Sequence, residues 1–384
     1  MDKSGKALLL FSEVYKSKGG IPVFNQNFLN AFNNVFEGKA TVLSINDLKE
    51  RKASHNNEKL RFVGCGSNMS WVAKLKFSFL AIYYALFDRP TFVICGHVNV
   101  TPLALILKIV LRKNYATIAH GIEVWDIKSW KRRKGLSGSK FIMSVSNYTK
   151  ERIKASLGND HSHIIILPDT VDGKRFRPQP RPQYLIDRYG IQDCKTILSI
   201  TRLEKSEGYK GYDKVIKVLS GVIREVPHVK YILGGSGDDL PRIRNLISQM
   251  GLEGKVILAG FIPEEELVDH YNVCDIFVLP SKKEGFGIVF LEALACGVPV
   301  IAGSKDGSVD ALLNGEVGTL VDPDNLEEIE QAVVNVLKGT VDKRLLESKY
   351  LRQRVLEEYG FDKFEKKVQK INAKYLFNDV SATN

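Results

Sequence analysis

Cysteine is scarce and unpaired in this chain. The five cysteines among 384 residues are Cys65, Cys95, Cys194, Cys274 and Cys296, an odd number with no CxxC spacing. That excludes a disulfide framework, and each thiol lies in or beside an apolar segment, as a free buried thiol does. A reducing, cytoplasmic setting is expected. No apolar run reaches the roughly 20 residues of a membrane-spanning helix. The first run, Ala7-Leu8-Leu9-Leu10-Phe11, is too short for a secretory leader and reads as a buried strand. No HExxH, Cys/His cluster or DxD pair suggests a metal, so no metal and no bound cofactor are expected. His161 and His163, with Ser162 between them, read as a loop. No repeat, low-complexity stretch or nucleic-acid-binding module is present, and no nucleic-acid partner is expected.

What is present describes a water-soluble globular chain, 44% hydrophobic and 26% charged, long enough for two domains. The net charge of +11 is unevenly spread. Residues 1–180 hold 28 Lys and Arg against 13 Asp and Glu, leaving 27 against 31 for the rest. The basic excess therefore belongs to the first half, where an anionic membrane surface is a candidate partner. Two segments there mix basic, aromatic and apolar residues. One runs from Trp71 to Tyr84, and the other is Lys128-Ser129-Trp130-Lys131-Arg132-Arg133-Lys134. Each reads either as a membrane-surface segment or, respectively, as a core helix and a solvated loop.

Both halves alternate strand and helix patterns. Strands are expected near 7–11, 40–45, 92–95, 115–119, 141–144 and 164–167, then near 196–201, 230–234, 256–259, 276–279 and 298–302. Repeated βαβ units imply parallel sheets with right-handed crossovers. The stretch 172–182 has three prolines in its last five residues, Pro178, Pro180 and Pro182, which no sheet interior accepts. The expected division is a Rossmann-like domain at 1–177, a second at 178–360, and an amphipathic C-terminal helix within 361–384 that returns to the first.

The most telling feature is a pair of glutamates eight positions apart, Glu284 and Glu292, in the run Glu284-Gly285-Phe286-Gly287-Ile288-Val289-Phe290-Leu291-Glu292. A strand pattern precedes it and a helix pattern follows. Glu284 thus falls on the loop at the carboxyl end of a strand, and Glu292 about two turns into the next helix. Ligands of parallel α/β sheets bind at that rim. Gly285 and Gly287 let backbone N–H groups approach an anionic or hydroxyl-rich ligand. One carboxylate suits sugar hydroxyls, the other a ribose diol.

This E-x7-E element resembles that of the retaining glycosyltransferases of family 4, which have the GT-B fold: two Rossmann-like domains with parallel sheets facing each other across a cleft. Further motifs extend the resemblance from Gly19 to the C-terminal helix. Arg202 and Lys210, followed by Gly211, resemble the family's Arg…Lys-Gly element, which holds the donor diphosphate and stabilises the leaving group. His120-Gly121 resembles a His-Gly near the donor's anomeric carbon, and a histidine there could donate to a sugar hydroxyl. Glu123 is a weaker acceptor-side candidate. Gly19 and Gly20 form a strand-to-helix turn with free amides, which in the family faces the diphosphate and acceptor. The Gly234-Gly235-Ser236-Gly237 loop lacks the third glycine of a dinucleotide fingerprint, Leu240 standing there. In the family, Gly235 would line the nucleotide, while Phe261 and Ile262 cradle the base. With Gly285, Phe286, Gly287, Ile288 and Glu292 these residues make up the implied donor site. Asp310 stands where the commoner family pattern has a glutamate, and Ser146 reads as a helix cap.

The resemblance implies a metal-independent, retaining transferase. It would move a sugar from a UDP- or GDP-sugar to a lipid-linked or growing cell-surface glycan, in the cytoplasm or at the inner membrane face. Rival readings are a nucleotide-sugar epimerase or sugar-phosphate synthase of the same fold, and a non-catalytic GT-B binding subunit.

Overall fold

A computed structural model describes residues 5–17, 19–48, 59–158 and 163–376. Lys18, His161, Ser162 and the C-terminal residues from Phe377 on, all touched by the sequence reading, lie outside them.

The described residues form two compact units. One runs to Thr170 and resumes at Phe361, and the other is Val171–Gly360. The division falls seven residues before the expected 177/178. Its cause is local: Val171 N–H donates to the Tyr359 carbonyl at 3.0 Å, and the Arg352 guanidinium donates to the carbonyls of Gly173 and Phe176, each at 2.6 Å. These bonds tie the pre-proline segment into the second unit.

The first unit alternates β1 (Lys6–Phe11), α1 (Gly20–Val35), β2 (Lys39–Ser44), β3 (Leu60–Gly64), α2 (Ser70–Phe87), β4 (Phe92–Cys95), α3 (Thr101–Leu111) and β5 (Tyr115–Ala119). It continues with α4 (Ile122–Trp125), α5 (Trp130–Ser137), β6 (Phe141–Ser144), α6 (Asn147–Leu157) and β7 (Ile164–Ile166). The second unit holds α7 (Gln183–Tyr189), β8 (Lys195–Ile200), α8 (Tyr212–Glu225), β9 (Val229–Gly234), α9 (Leu240–Gln249), β10 (Val256–Gly260) and α10 (Leu267–Val273). Then follow β11 (Ile276–Leu279), α11 (Ile288–Ala295), β12 (Val300–Gly303), α12 (Ser308–Ala311), β13 (Thr319–Val321), α13 (Leu326–Lys338) and α14 (Ser348–Tyr359). Helix α15 (Phe361–Ile371) closes the chain on the first unit and passes into a short π-helical turn, Asn372–Leu376.

Both sheets are wholly parallel. Their strand orders are β3-β2-β1-β4-β5-β6-β7 and β10-β9-β8-β11-β12-β13. Central strands read as unbroken apolar runs because helices cover both faces; Ala7 to Phe11 are all buried. Helix α8 shows how a covering helix is specified. Its Tyr212, Val215, Ile216, Leu219 and Val222 recur at helical spacing and are all buried against the sheet. In each unit the order reverses once, between β1 and β4 and between β8 and β11. Such a reversal opens a crevice at the strands' carboxyl ends.

Candidate active site

In the second unit, Arg202 follows β8 and Glu284 follows β11, so the two motifs flank the point where the strand order reverses. The loops are stitched together: Lys282 N–H donates to the Tyr209 carbonyl at 3.0 Å. Gly211 ends the first loop at φ +79°, and a Cβ there would overlap the Pro280 carbonyl. Only glycine permits that approach. The outcome is an ion pair between Lys210 Nζ and Glu284 Oε1, with both side chains nearly out of solvent. Burial acts to lower the Lys210 pKa, but the Glu284 charge and hydrogen bond outweigh it and raise the pKa. Lys210 is therefore a fixed cation. Arg202 stays mostly exposed and pairs with Glu207, whose second carboxylate oxygen is buried with no partner among the described residues.

Asp306, after β12, was not singled out from sequence; Asp310 was. Asp306 is fully buried, and its carboxylate accepts from Ser281 Oγ at 2.8 Å, Glu284 N–H at 2.7 Å and Ser308 N–H at 2.9 Å. It thereby fixes the backbone that presents Glu284. Burial, then the neighbouring Glu284 charge, lift its pKa to about 6. A single Asp inside a Ser/Gly-rich loop gives little sequence sign that it will be the buried one.

Glu292 sits in α11 with its carboxyl buried, accepting from the Tyr271 hydroxyl at 2.7 Å. Burial raises its pKa to about 7, against the lowering effect of Tyr271. Gly287 caps this helix at φ +101°, and a Cβ there would run into the Phe290 ring. Phe286 departs from the expected donor contact. The residue is buried, and its ring packs edge-on against Tyr359 at 5.1 Å. Ile288 is buried in the first turn of α11. Gly285 lies on the loop between Glu284 and that helix. On the far side of β8, Gly235 N–H donates to the Gly260 carbonyl at 2.7 Å, which brings the glycine loop beside Phe261 and Ile262. The Phe261 ring is exposed, and Ile262 covers Gly234.

In the first unit, Gly20 opens α1 three residues earlier than the expected start near Val23, and Gly19 faces open space. His120 ends β5. Its Nε2 lies 2.9 Å from the Gly96 carbonyl, an obligate acceptor, so Nε2 carries the proton and Nδ1 a lone pair. Burial lowers its pKa, which keeps the ring neutral. The expected donation to a sugar hydroxyl is thus corrected: that proton is already engaged, and the ring has acceptor character to offer. Its face is held edge-on by Phe24 at 5.0 Å. Glu123 uses its carboxylate locally, accepting from the N–H groups of His120 at 2.6 Å and Gly121 at 3.2 Å. His97, missed from sequence, stacks 6.2 Å from His120 at the end of β4 and accepts from Asn99 N–H. Ser146 caps α6 as expected, accepting from Thr149 N–H at 3.0 Å.

Two doubly wound parallel sheets with charged and glycine-rich loops at their strand-end rims define a GT-B protein. Solved structures agree in fold. The HepE protein of Anabaena, bound to UDP and glucose, superposes with a TM-score of 0.77 over 96% of this chain and 100% of its own, at 16% identity. Sucrose-phosphate synthase of Thermosynechococcus elongatus does so with 0.79 over 99% and 100%, at 17% identity. Residues 186–354, within the second unit, match the family described as Glycosyl transferases group 1. Among curated proteins it is 33% identical, over 62% of its length, to the GDP-mannose-dependent alpha-(1-6)-phosphatidylinositol monomannoside mannosyltransferase of Mycolicibacterium smegmatis. The chain spans 65% of that relative's length.

Proposed function

We propose that this protein is a glycosyltransferase that moves a hexosyl group from a nucleoside diphosphate sugar, with retention, to a lipid-linked or surface glycan acceptor. The observation that carries the reading is the Lys210–Glu284 pair, braced by Asp306 at the reversal point of the second sheet. Arg202 and Lys210 would hold the diphosphate and offset the charge on the leaving group, the task a metal performs elsewhere. Donor binding would draw Lys210 toward phosphate and free Glu284 for the sugar hydroxyls. Glu292 would take the ribose diol, and Gly235, Phe261 and Ile262 would border the base. His120, neutral and fixed in one tautomer, would accept a hydrogen bond near the reacting carbon. The mannosyltransferase relative supports a GDP-sugar as the first donor to test.

The same reading places the protein at a membrane surface. No helix among the described residues is long and apolar enough to cross a membrane. Yet α2 turns Trp71, Leu75, Phe79, Ile82 and Leu86 to solvent, and α5 exposes Trp130 beside Lys131 and Lys134. An amphipathic surface of this kind suits the interface where a lipid-linked acceptor would lie.

The test is thermal stabilisation by GDP, UDP, ADP and GDP-mannose in wild type and Glu292→Ala. A ligand that binds the native state raises its melting temperature. One diphosphate should stabilise the wild type and lose its effect in the variant. No response to any nucleotide would sink the donor site. Turnover unchanged by a chelator is expected, and its loss would overturn the metal-free route.

A further inference from the structure

The amino-terminal edge of the first sheet is the end remote from Gly19 and His120. It holds a cavity of about 250 Å³ that the transfer reading does not use. Strands β1, β2 and β3 begin there and bring Lys6, Lys39 and Arg61 to its walls, with Lys59 just ahead of β3. Among the described residues, Asp88 is the one acidic residue lining it, and the Thr41 hydroxyl lies 3.4 Å from its carboxylate. Lys6 and Lys39 are register partners on adjacent strands, and Arg61 stands beside Thr41 in the next ladder. Like charges side by side in a sheet repel. An anion seated between them would relieve that repulsion.

The surroundings indicate which anion. Tyr84, under the Arg61 guanidinium at 5.5 Å, and Asp88 come from the last turn of α2 and the residue after it. On that same helix the residues Trp71, Leu75, Phe79, Ile82 and Leu86 recur at three- and four-residue spacing and form one outward apolar stripe. Phe87 extends it to the helix end, and Ile106, Ile109 and Val110 of the adjacent α3 widen it. A soluble phosphate needs the cations but has no use for the apolar face. A phospholipid uses both.

We propose that this cavity binds the phosphate headgroup of an anionic phospholipid while the α2–α3 face lies on the bilayer. The inference rests on the membrane part of the reading above and is independent of the transfer chemistry.

The experiment is flotation of the full-length protein with phosphatidylcholine vesicles, with and without phosphatidylglycerol. Wild type should bind the anionic vesicles more tightly. The pair Lys39→Gln/Arg61→Gln should weaken anionic binding by about 30-fold, as expected for two cations near a charged surface, and leave binding to neutral vesicles unchanged. Its melting temperature should change little, because the like-charge contact is removed together with the contact of Arg61 on Tyr84. Leu75→Ser/Phe79→Ser should weaken binding to both vesicle types. A charge pair that keeps the full anionic preference would overturn the cavity assignment and leave the membrane reading standing. A wild type that binds no vesicles would overturn both. Stabilisation by glycerol 3-phosphate together with no preference for anionic vesicles would assign the cavity to a soluble phosphate and overturn the lipid.

Discussion

Burial holds the Glu292 carboxyl near pH 7, so its charge changes where nucleotide binding is ordinarily measured. The folded pKa lies above the usual value of 4.5. The group's contribution to stability is therefore complete below pH 4.5 and is lost as pH rises through 7, a change of roughly 3 kcal/mol in the free protein. A ribose diol donating to this carboxyl favours the ionised form and reverses the preference. Nucleoside diphosphate affinity should then rise about tenfold between pH 6 and pH 8, and flatten in Glu292→Gln. Titration calorimetry at the two pH values checks this. A wild type with pH-independent affinity would place the diol elsewhere. Asp306 differs although it too is buried: three donors already satisfy it inside the protein, so its work is to hold Glu284 in place.

Helix α11 shows how an element carries a residue to its place. Gly287 stands at φ +101°, a region closed to most side chains, and its missing Cβ leaves room for Phe290. Gly287→Ala should cost about 1–3 kcal/mol from backbone strain, more if Phe290 must move. Since α11 also bears Glu292, nucleotide affinity should fall with the melting temperature. An unchanged melting temperature would mean that the turn is not fixed as described. Elements of this kind were legible in the sequence where pattern and length were strong. Unbroken apolar strands flanked by glycine gave most of both sheets, and the spacing of Glu284 and Glu292 placed the rim between them. Strand β3 was missed because it is an edge strand interrupted by exposed Arg61. Strand β13 was missed because its three residues, Thr319–Val321, begin with a polar threonine and make no apolar run like the isoleucines of the equally short β7. The inward turn of Phe286, the tautomer of His120 and the local duty of Glu123 depend on partners far along the chain or on backbone geometry. No spacing rule encodes them.

At the scale of the molecule, the chain returns to its first unit only at its end. Phe364 of α15 is buried and meets Phe24 of α1 edge-on at 5.7 Å; Phe24 in turn packs on His120. Asn34 donates to Glu365 at 2.6 Å on the same pair of helices. The last helix is thus part of the core that orients His120, although some 240 residues separate them in sequence. Phe364→Ala should remove about 3–5 kcal/mol from the first unit, as expected for truncating a buried aromatic ring. The second unit, whose core lies wholly within Val171–Gly360, should keep its stability. Hydrogen exchange resolved by segment distinguishes the two. Faster exchange in α1 and β5 with unchanged protection in β8 and β11 is the expected pattern, and uniform loss across both sheets would mean that the units unfold as one. Turnover should fall in this variant while nucleotide affinity holds, because Arg202, Lys210, Glu284 and Glu292, the groups proposed to hold the donor, all belong to the unit left intact.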